Sequence, residues 1–345
     1  MLKSLLSKKI FLTQNPLISQ SQRLFNSNSQ SQKFQYAQKI LMVEPTNFFL
    51  NEETFEDNKL MKQTGMDQQE ISQRAIDEFR RFKDTIEKNG IEVKVFTQLN
   101  PDLPDSIFVN NWLSTHRNDE IPNGMVVLYP MKVPTREKEK NPQIIKQLSS
   151  QYSVFLDLIR KIPDQSLEGT GSLVFDYENR KVYVKLSARA DADLLQDFIS
   201  ELNQHSRAKY RSVVWHQNND TDPINHTNVV MSTLRNHIVL CSESIASKKE
   251  KDKVLKEITN SYLNNKPKEL IDISLEEMQN HCGNILMLQN RHGEDCVVMS
   301  ERARQSFRSE NIKRITDNYR VISSDIHTIE EVGGGSARSM IAELF

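Results

Sequence analysis

Four residues of this chain have side chains that could do chemistry together: two carboxylates, Asp105 and Glu168, an imidazole, His226, and a hydroxyl, Ser339. Each stands just ahead of a short apolar run. With Asn284, placed in the same way, they follow one another at intervals of 63, 58, 58 and 55 residues. Carboxylates can hold substrate N–H groups, an imidazole can move protons near neutral pH, and a nucleophile beside a base can attack a carbon electrophile. Ser339 ends the run Gly333-Gly334-Gly335-Ser336-Ala337-Arg338-Ser339, where glycines let main-chain N–H groups crowd a small ligand. Singly, each residue has a plainer reading. Asp105 after Pro104 and Glu168 before Gly169 are turn carboxylates, and His226 ahead of a strand is a structural histidine. Arg189, opening a helical segment, forms a surface ion pair as readily as a two-pronged bond to a ligand carboxylate. Only the joint pattern points to a site.

The same repeat says what must hold these residues. Hairpins are expected from 106–109 with 125–129, 173–175 with 182–184, 229–231 with 238–240, and 285–288 with 297–299. Helical periodicity marks 68–88, 142–160, 191–203, 247–263 and 301–312, and short strands follow at 91–96, 212–215 and 320–322. The last apolar segment, 339–344, has no partner downstream. Pairing it with 40–43 would close the array and remove its exposed edges.

Composition narrows the function classes. The chain has 345 residues and a net charge of -1, so there is no bulk electrostatic case for nucleic acid. No apolar run approaches the roughly 18–20 residues of a membrane span. Cys241, Cys282 and Cys296 are too few and scattered for a disulfide framework or a zinc site, and neither metal nor cofactor is expected. Before Glu44 there is no acidic residue. Lys3, Lys8, Lys9, Arg23 and Lys33 interleave there with Leu2, Leu5, Leu6, Ile10, Phe11 and Leu12. That pattern marks residues 1–38 as a mitochondrial targeting peptide, the alternative being a disordered polar extension. The folded domain is expected over 39–345.

The segments Val43-Glu44-Pro45-Thr46-Asn47-Phe48, Pro104 to Trp112, Tyr129-Pro130-Met131, Leu167-Glu168-Gly169-Thr170-Gly171-Ser172-Leu173, Leu186-Ser187-Ala188-Arg189, His226-Thr227-Asn228-Val229, Cys282-Gly283-Asn284 and the glycine-rich end occur in a telling order. From about residue 40 onward the chain resembles the guanidino-group-modifying superfamily of arginine deiminases, dimethylarginine hydrolases and amidinotransferases. Its citrulline-utilization hydrolase branch is the best match. The resemblance implies an α/β fold, a five-bladed α/β propeller (pentein fold) with pseudo-five-fold ββαβ repeats. It also implies that a cysteine thiolate attacks a guanidinium or ureido carbon, an amine leaves, and water hydrolyses the covalent intermediate. Asp105 and Glu168 would then hold substrate nitrogens and His226 would be the general acid and base. Asn110, Arg189, Asn228 and Arg338 would bind substrate. Asn228 stands where arginine-directed members often carry a carboxylate, and an amide could face a neutral ureido oxygen.

The departure is Ser339, which occupies the place of the nucleophilic cysteine. A thiol ionises near pH 8.5 and lower in an electropositive site, whereas a hydroxyl stays protonated and needs a coupled base. Ser336 and the three cysteines are not placed to replace it. The expectation is a pseudoenzyme: a non-catalytic binding or structural subunit of a mitochondrial assembly, partnered by other protein subunits. The alternatives are an active hydrolase of citrulline, arginine or a related guanidino or ureido compound, and an amino-acid sensor that binds without turnover.

Overall fold

The computed structural model describes residues 35–218 and 224–345. The stretch read as a targeting peptide lies outside the described residues up to position 34. Tyr36 and Ala37 are already buried in the core.

Five three-stranded sheets share one plan: a middle strand with an antiparallel neighbour on one side and a parallel neighbour on the other. The middle strands are Lys39–Glu44, Ile121–Leu128, Lys181–Leu186, His237–Leu240 and Asp295–Ser300. Their antiparallel partners are Ala342–Leu344, Leu113–Asn118, Val174–Asp176, Met231–Thr233 and Leu286–Gln289. Their parallel partners are Glu92–Thr97, Val154–Asp157, Arg211–His216, Glu269–Asp272 and Arg320–Ser324. Parallel neighbours need a crossover, and each crossover carries helix. The longest, Gln68–Lys88, is capped by the Asp67 side chain and buries Ile71, Ala75, Phe79, Phe82 and Ile86 against the first sheet. The others are Pro142–Ser149, Ala192–His205, Lys248–Thr259, and the pair Glu301–Ser306 and Ser309–Thr316. Among the described residues no helix is long and apolar enough to cross a membrane.

The first sheet is built from both ends of the fold. Lys39 pairs with Leu344, Ile40 with Glu343 and Leu41 with Ala342. Other expectations need correction. Residues 106–109 form no strand: Pro104–Ile107 and Val109–Asn111 are successive single turns, and pairing begins at Leu113. Pro104 pre-sets the first turn, and Ile107, Phe108 and Val109 are core residues placed by it. Thr227–Val230 is likewise a helical turn ahead of its strand. The helix from 142 stops at Ser149, because Val154–Asp157 pairs with Met125 to Leu128. The helical stretch from 301 is broken at Phe307, and 262–263 is a short strand.

Candidate functional site

The repeat delivers one turn to the inner end of each antiparallel partner strand. Asp105 lies in Pro104–Ile107, Glu168 opens Gly169–Ser172, His226 opens Thr227–Val230, and Ser339 lies in Ala337–Met340. Neighbouring turns are laced together. Thr170 Oγ1 donates to Asn110 O (3.4 Å), Thr227 Oγ1 to Ser172 O (2.7 Å), and Asn284 Nδ2 to Asn228 O (3.1 Å) and Ser339 Oγ (3.2 Å). The glycine run is positioned from behind. The buried Glu78 carboxylate accepts from Thr328 N and Ile329 N, fixing the start of His327–Gly333. Gly334 then turns the chain at φ +67°, hard against Asn58 and Met61. The run packs on the Phe108 ring and the Asn58 segment.

These turns surround a small cavity of about 40 Å³, lined by Thr54, Asn58, Leu60, Asp105, Phe108, Asn111, Arg136, Arg189, His226 and Ser339 among others. That is room for a few waters. Glu168 does not line it but is bonded to two residues that do, His226 and Arg189. One carboxylate oxygen accepts from His226 Nε2 at 2.6 Å and the other from Lys132 N at 2.9 Å. Arg189 Nη1 lies 3.4 Å from Glu168 Oε2, and Arg136 Nη1 lies 3.9 Å from it. Burial opposes the charge on Glu168, but Arg189, His226 and Arg136 outweigh it and hold the carboxyl well below its usual range. His226 moves down as well. Burial lowers it, Glu168 pulls it back only in part, and both arginines push the same way as burial. The resting pair is therefore a carboxylate and a neutral imidazole. A carboxylate only accepts, so Nε2 carries the proton on this assignment.

Asp105 Oδ2 accepts from Asn51 Nδ2 (2.9 Å) and Thr54 Oγ1 (3.1 Å). Arg136 forks onto Glu139 (2.9 and 3.0 Å) and donates to Asn111 Oδ1 (3.0 Å). Burial works against its cation, yet Glu139, Asp105 and Glu168 keep it protonated. Three lining residues retain a buried polar atom with no protein partner: Asp105 Oδ1, Asn111 Nδ2 and Arg189 Nε. The residues around the cavity thus carry one acceptor and two donors that the protein leaves unsatisfied.

Asp105, Glu168, His226, Arg189 and Ser339 come together. Asn110, Asn228 and Arg338 do not join them. Asn110 is fully buried with an unpartnered amide, and its neighbour Asn111 lines the cavity instead. Asn228, two residues past His226 on a tight turn, faces a second small cavity. Arg338 lines that one too, with Nη2 on Glu343 (2.9 Å) and Nη1 on Ile341 O (2.8 Å). Ser339 Oγ contacts the Asn284 amide at 3.2 and 3.5 Å, whereas Ser336 Oγ donates to Glu330. No thiol lines the cavity, and burial pushes Cys241 and Cys296 up to about 11 and Cys282 further. Asn111, Arg136 and Asp57 were missed from sequence. Asn111 lies within the segment Pro104 to Trp112, whereas Arg136 and Asp57 carry no local signal.

Several solved structures share this fold. The N-terminal domain of ArgZ, an arginine dihydrolase from the cyanobacterial ornithine-ammonia cycle, was solved as a cysteine-to-serine variant bound to substrate. It superposes with a TM-score of 0.67 at 16% identity, over 88% of this chain and 97% of that one. The chain spans 40% of the longer ArgZ structure. A dimethylarginine hydrolase from Pseudomonas aeruginosa, a cysteine-to-serine variant complexed with citrulline, gives 0.61 at 17% identity, over 90% and 100% of the two chains. AgrE in complex with L-arginine gives 0.65 at 14%, over 89% and 40%. These likenesses place the fold among the mixed α/β pentein proteins. No curated protein sequence matches the chain. The model of the eukaryotic N,N-dimethylarginine dimethylhydrolases matches residues 44–345, and the chain belongs to that family, a member of the guanidino-modifying hydrolases.

Proposed function

We propose that this chain is a non-catalytic member of its family that binds a small guanidino or ureido amino acid. In this reading its five sheets are blades around a common axis, and their outer helices are a surface for protein partners. The reading extends to a mitochondrial setting, on the composition of residues 1–38. The observation that carries it is the separation of hydroxyl from base. Ser339 Oγ bonds to the Asn284 amide, and no described hydrogen bond joins it to His226. The hydroxyl has no activating base among its described hydrogen bonds, and a hydroxyl is a poor nucleophile without one. The charged wall and its spare polar atoms nevertheless suit a ligand. Asp105 Oδ1 can accept from a ligand N–H, the Asn111 amide can donate to a ureido oxygen, and Arg189 can take a carboxylate. Two relatives in which a cysteine is replaced by serine hold substrate or citrulline, which supports binding by a serine form.

The test is calorimetry with L-citrulline, L-arginine and dimethylarginine alongside assays for ammonia and methylamines. Binding without product is expected. Ser339→Cys should restore turnover, since loss of a nucleophile in a concerted site costs on the order of a million-fold. The second reading, a working serine hydrolase, is favoured by the intact Glu168–His226 pair. Turnover by the serine form that Ser339→Ala abolishes would establish it.

A further inference from the structure

The cavity has a roof supplied by residues 51–66, of which Thr54, Asn58 and Leu60 face inward. Only Glu52–Phe55, a single turn, is regular there. The roof is tied down at its rim by polar bonds. Glu53 Oε2 accepts from Thr135 N and Oγ1 (3.1 and 2.6 Å), and Lys62 Nζ meets Glu331 at 3.0 Å. At the centre, Asp57 Oδ1 accepts from Arg189 Nη2 at 2.6 Å, and Asp57 O accepts from Asn225 Nδ2 at 2.9 Å. The two partners of the central pair differ in standing. The Arg189 side chain is 3% exposed and belongs to the wall; the Asp57 side chain is 40% exposed and arrives from the roof. Arg189 also keeps its buried Nε–H unpartnered, so the guanidinium is only partly satisfied by the protein.

We propose that Asp57 is an internal competitor for the carboxylate-binding arginine, and so a specificity-determining residue of the site. This rests on the ligand-binding reading above. With room for a few waters only, against roughly 300–1,000 Å³ in ligand pockets, the cavity must widen to take a guest. A ligand bearing a carboxylate satisfies Arg189 in place of Asp57. Because Asp57 also carries the Asn225 bond, its displacement loosens the roof at the same moment. A ligand without a carboxylate leaves the Asp57–Arg189 pair intact and has nothing with which to part it. Asp57 is the partly exposed partner, so water can solvate it once a ligand carboxylate replaces it on Arg189. The ligand then shifts the roof by its differential interaction with the open and closed arrangements.

The experiment compares wild type with Asp57→Asn, using L-citrulline and N-carbamoylputrescine, the same ureido chain without the carboxylate. Asp57→Asn should tighten L-citrulline about tenfold, the scale of one charge-assisted contact, and leave N-carbamoylputrescine within about twofold. Equal changes for both ligands, no change, or weaker citrulline binding would overturn the proposal. Hydrogen exchange of amides 53–62 separates this result from failure of the ligand reading. If neither protein binds either ligand, the ligand reading falls. Exchange about tenfold faster in Asp57→Asn would still support the latch, and unchanged exchange would refute it.

Discussion

Replacing Glu168 by glutamine would remove one charge from the centre of the site and leave its shape nearly unchanged. The side chain is fully buried, with His226 Nε2 at 2.6 Å, Lys132 N at 2.9 Å and the guanidinium groups of Arg189 and Arg136 at 3.4 and 3.9 Å. Removing one partner of a buried ion pair typically costs about 3–5 kcal/mol. Glutamine can still accept from Lys132, and Asp57, Glu139 and Asp105 still face the arginines, so the low end, about 3 kcal/mol, is expected from urea unfolding at pH 7. The effect has a pH signature. The folded carboxyl titrates below its ordinary value of 4.5, so the unfolded chain takes up its proton first as pH falls. The stabilisation from ionised Glu168 is complete above pH 4.5 and is lost as pH drops through the depressed folded value. The comparison is best made in a His226→Gln background, which removes the imidazole titration. There the stability gap between the protein that keeps Glu168 and its Glu168→Gln variant should be constant above about pH 5 and narrow below it. A gap under about 1 kcal/mol at pH 7, or one unchanged at pH 3, would refute the picture of a desolvated carboxylate pinned between cations.

Three further outcomes are expected. Gly171→Ala would drive a methyl group into Asn111 Nδ2 and to within 3.0 Å of the His226 ring; thermal melts should show a loss of about 1–3 kcal/mol, and calorimetry weaker citrulline binding. Lys185 is buried, donates to Ile224 O and Gln217 Oε1, and is lowered by burial to about 8. The unfolded chain keeps that proton up to its ordinary 10.5, so wild type should gain about 3 kcal/mol on Lys185→Met between pH 8 and 10.5, and a flat difference would reject the assignment. Deleting residues 342–345 removes the partner of Lys39–Glu44 and bares an apolar edge; the product should be insoluble, and a soluble, cooperatively melting protein would show the strand to be dispensable.

What could be read in the sequence was the part governed by local repetition. The spacing of Asp105, Glu168, His226, Asn284 and Ser339 anticipated that each stands ahead of one sheet's antiparallel strand, and the partnerless apolar end anticipated pairing with Lys39–Glu44. What escaped depends on packing across the chain. Residues 106–109 have strand-like composition, but Pro104 and the burial of Phe108 make them turns. Residues 154–157 continue a helical pattern until the neighbouring sheet recruits them. Arg136 and Asp57 carry no motif. They matter because of the carboxylate and guanidinium groups opposite them, which lie 32 and 132 residues further along. Arg338 sits next to Ser339 in sequence, but Glu343 draws it to the other side of the turn.

The pairing of Lys39–Glu44 with Ala342–Leu344 also has a consequence for biosynthesis. Its two strands are about 300 residues apart, so the first sheet is the fold's most non-local contact and the slowest kind to form. During translation at roughly 5–20 residues per second, the strand beginning at Lys39 waits for a partner until nearly all of the remaining fold has been made. Ser339 lies three residues before that partner. The turn that completes the cavity is therefore among the last parts of the described fold to form, and whatever the pocket holds can be recruited only once residues 339–344 have been made. In the meantime the unpaired edge of Lys39–Glu44 is exposed, which makes the nascent chain a natural client for chaperones.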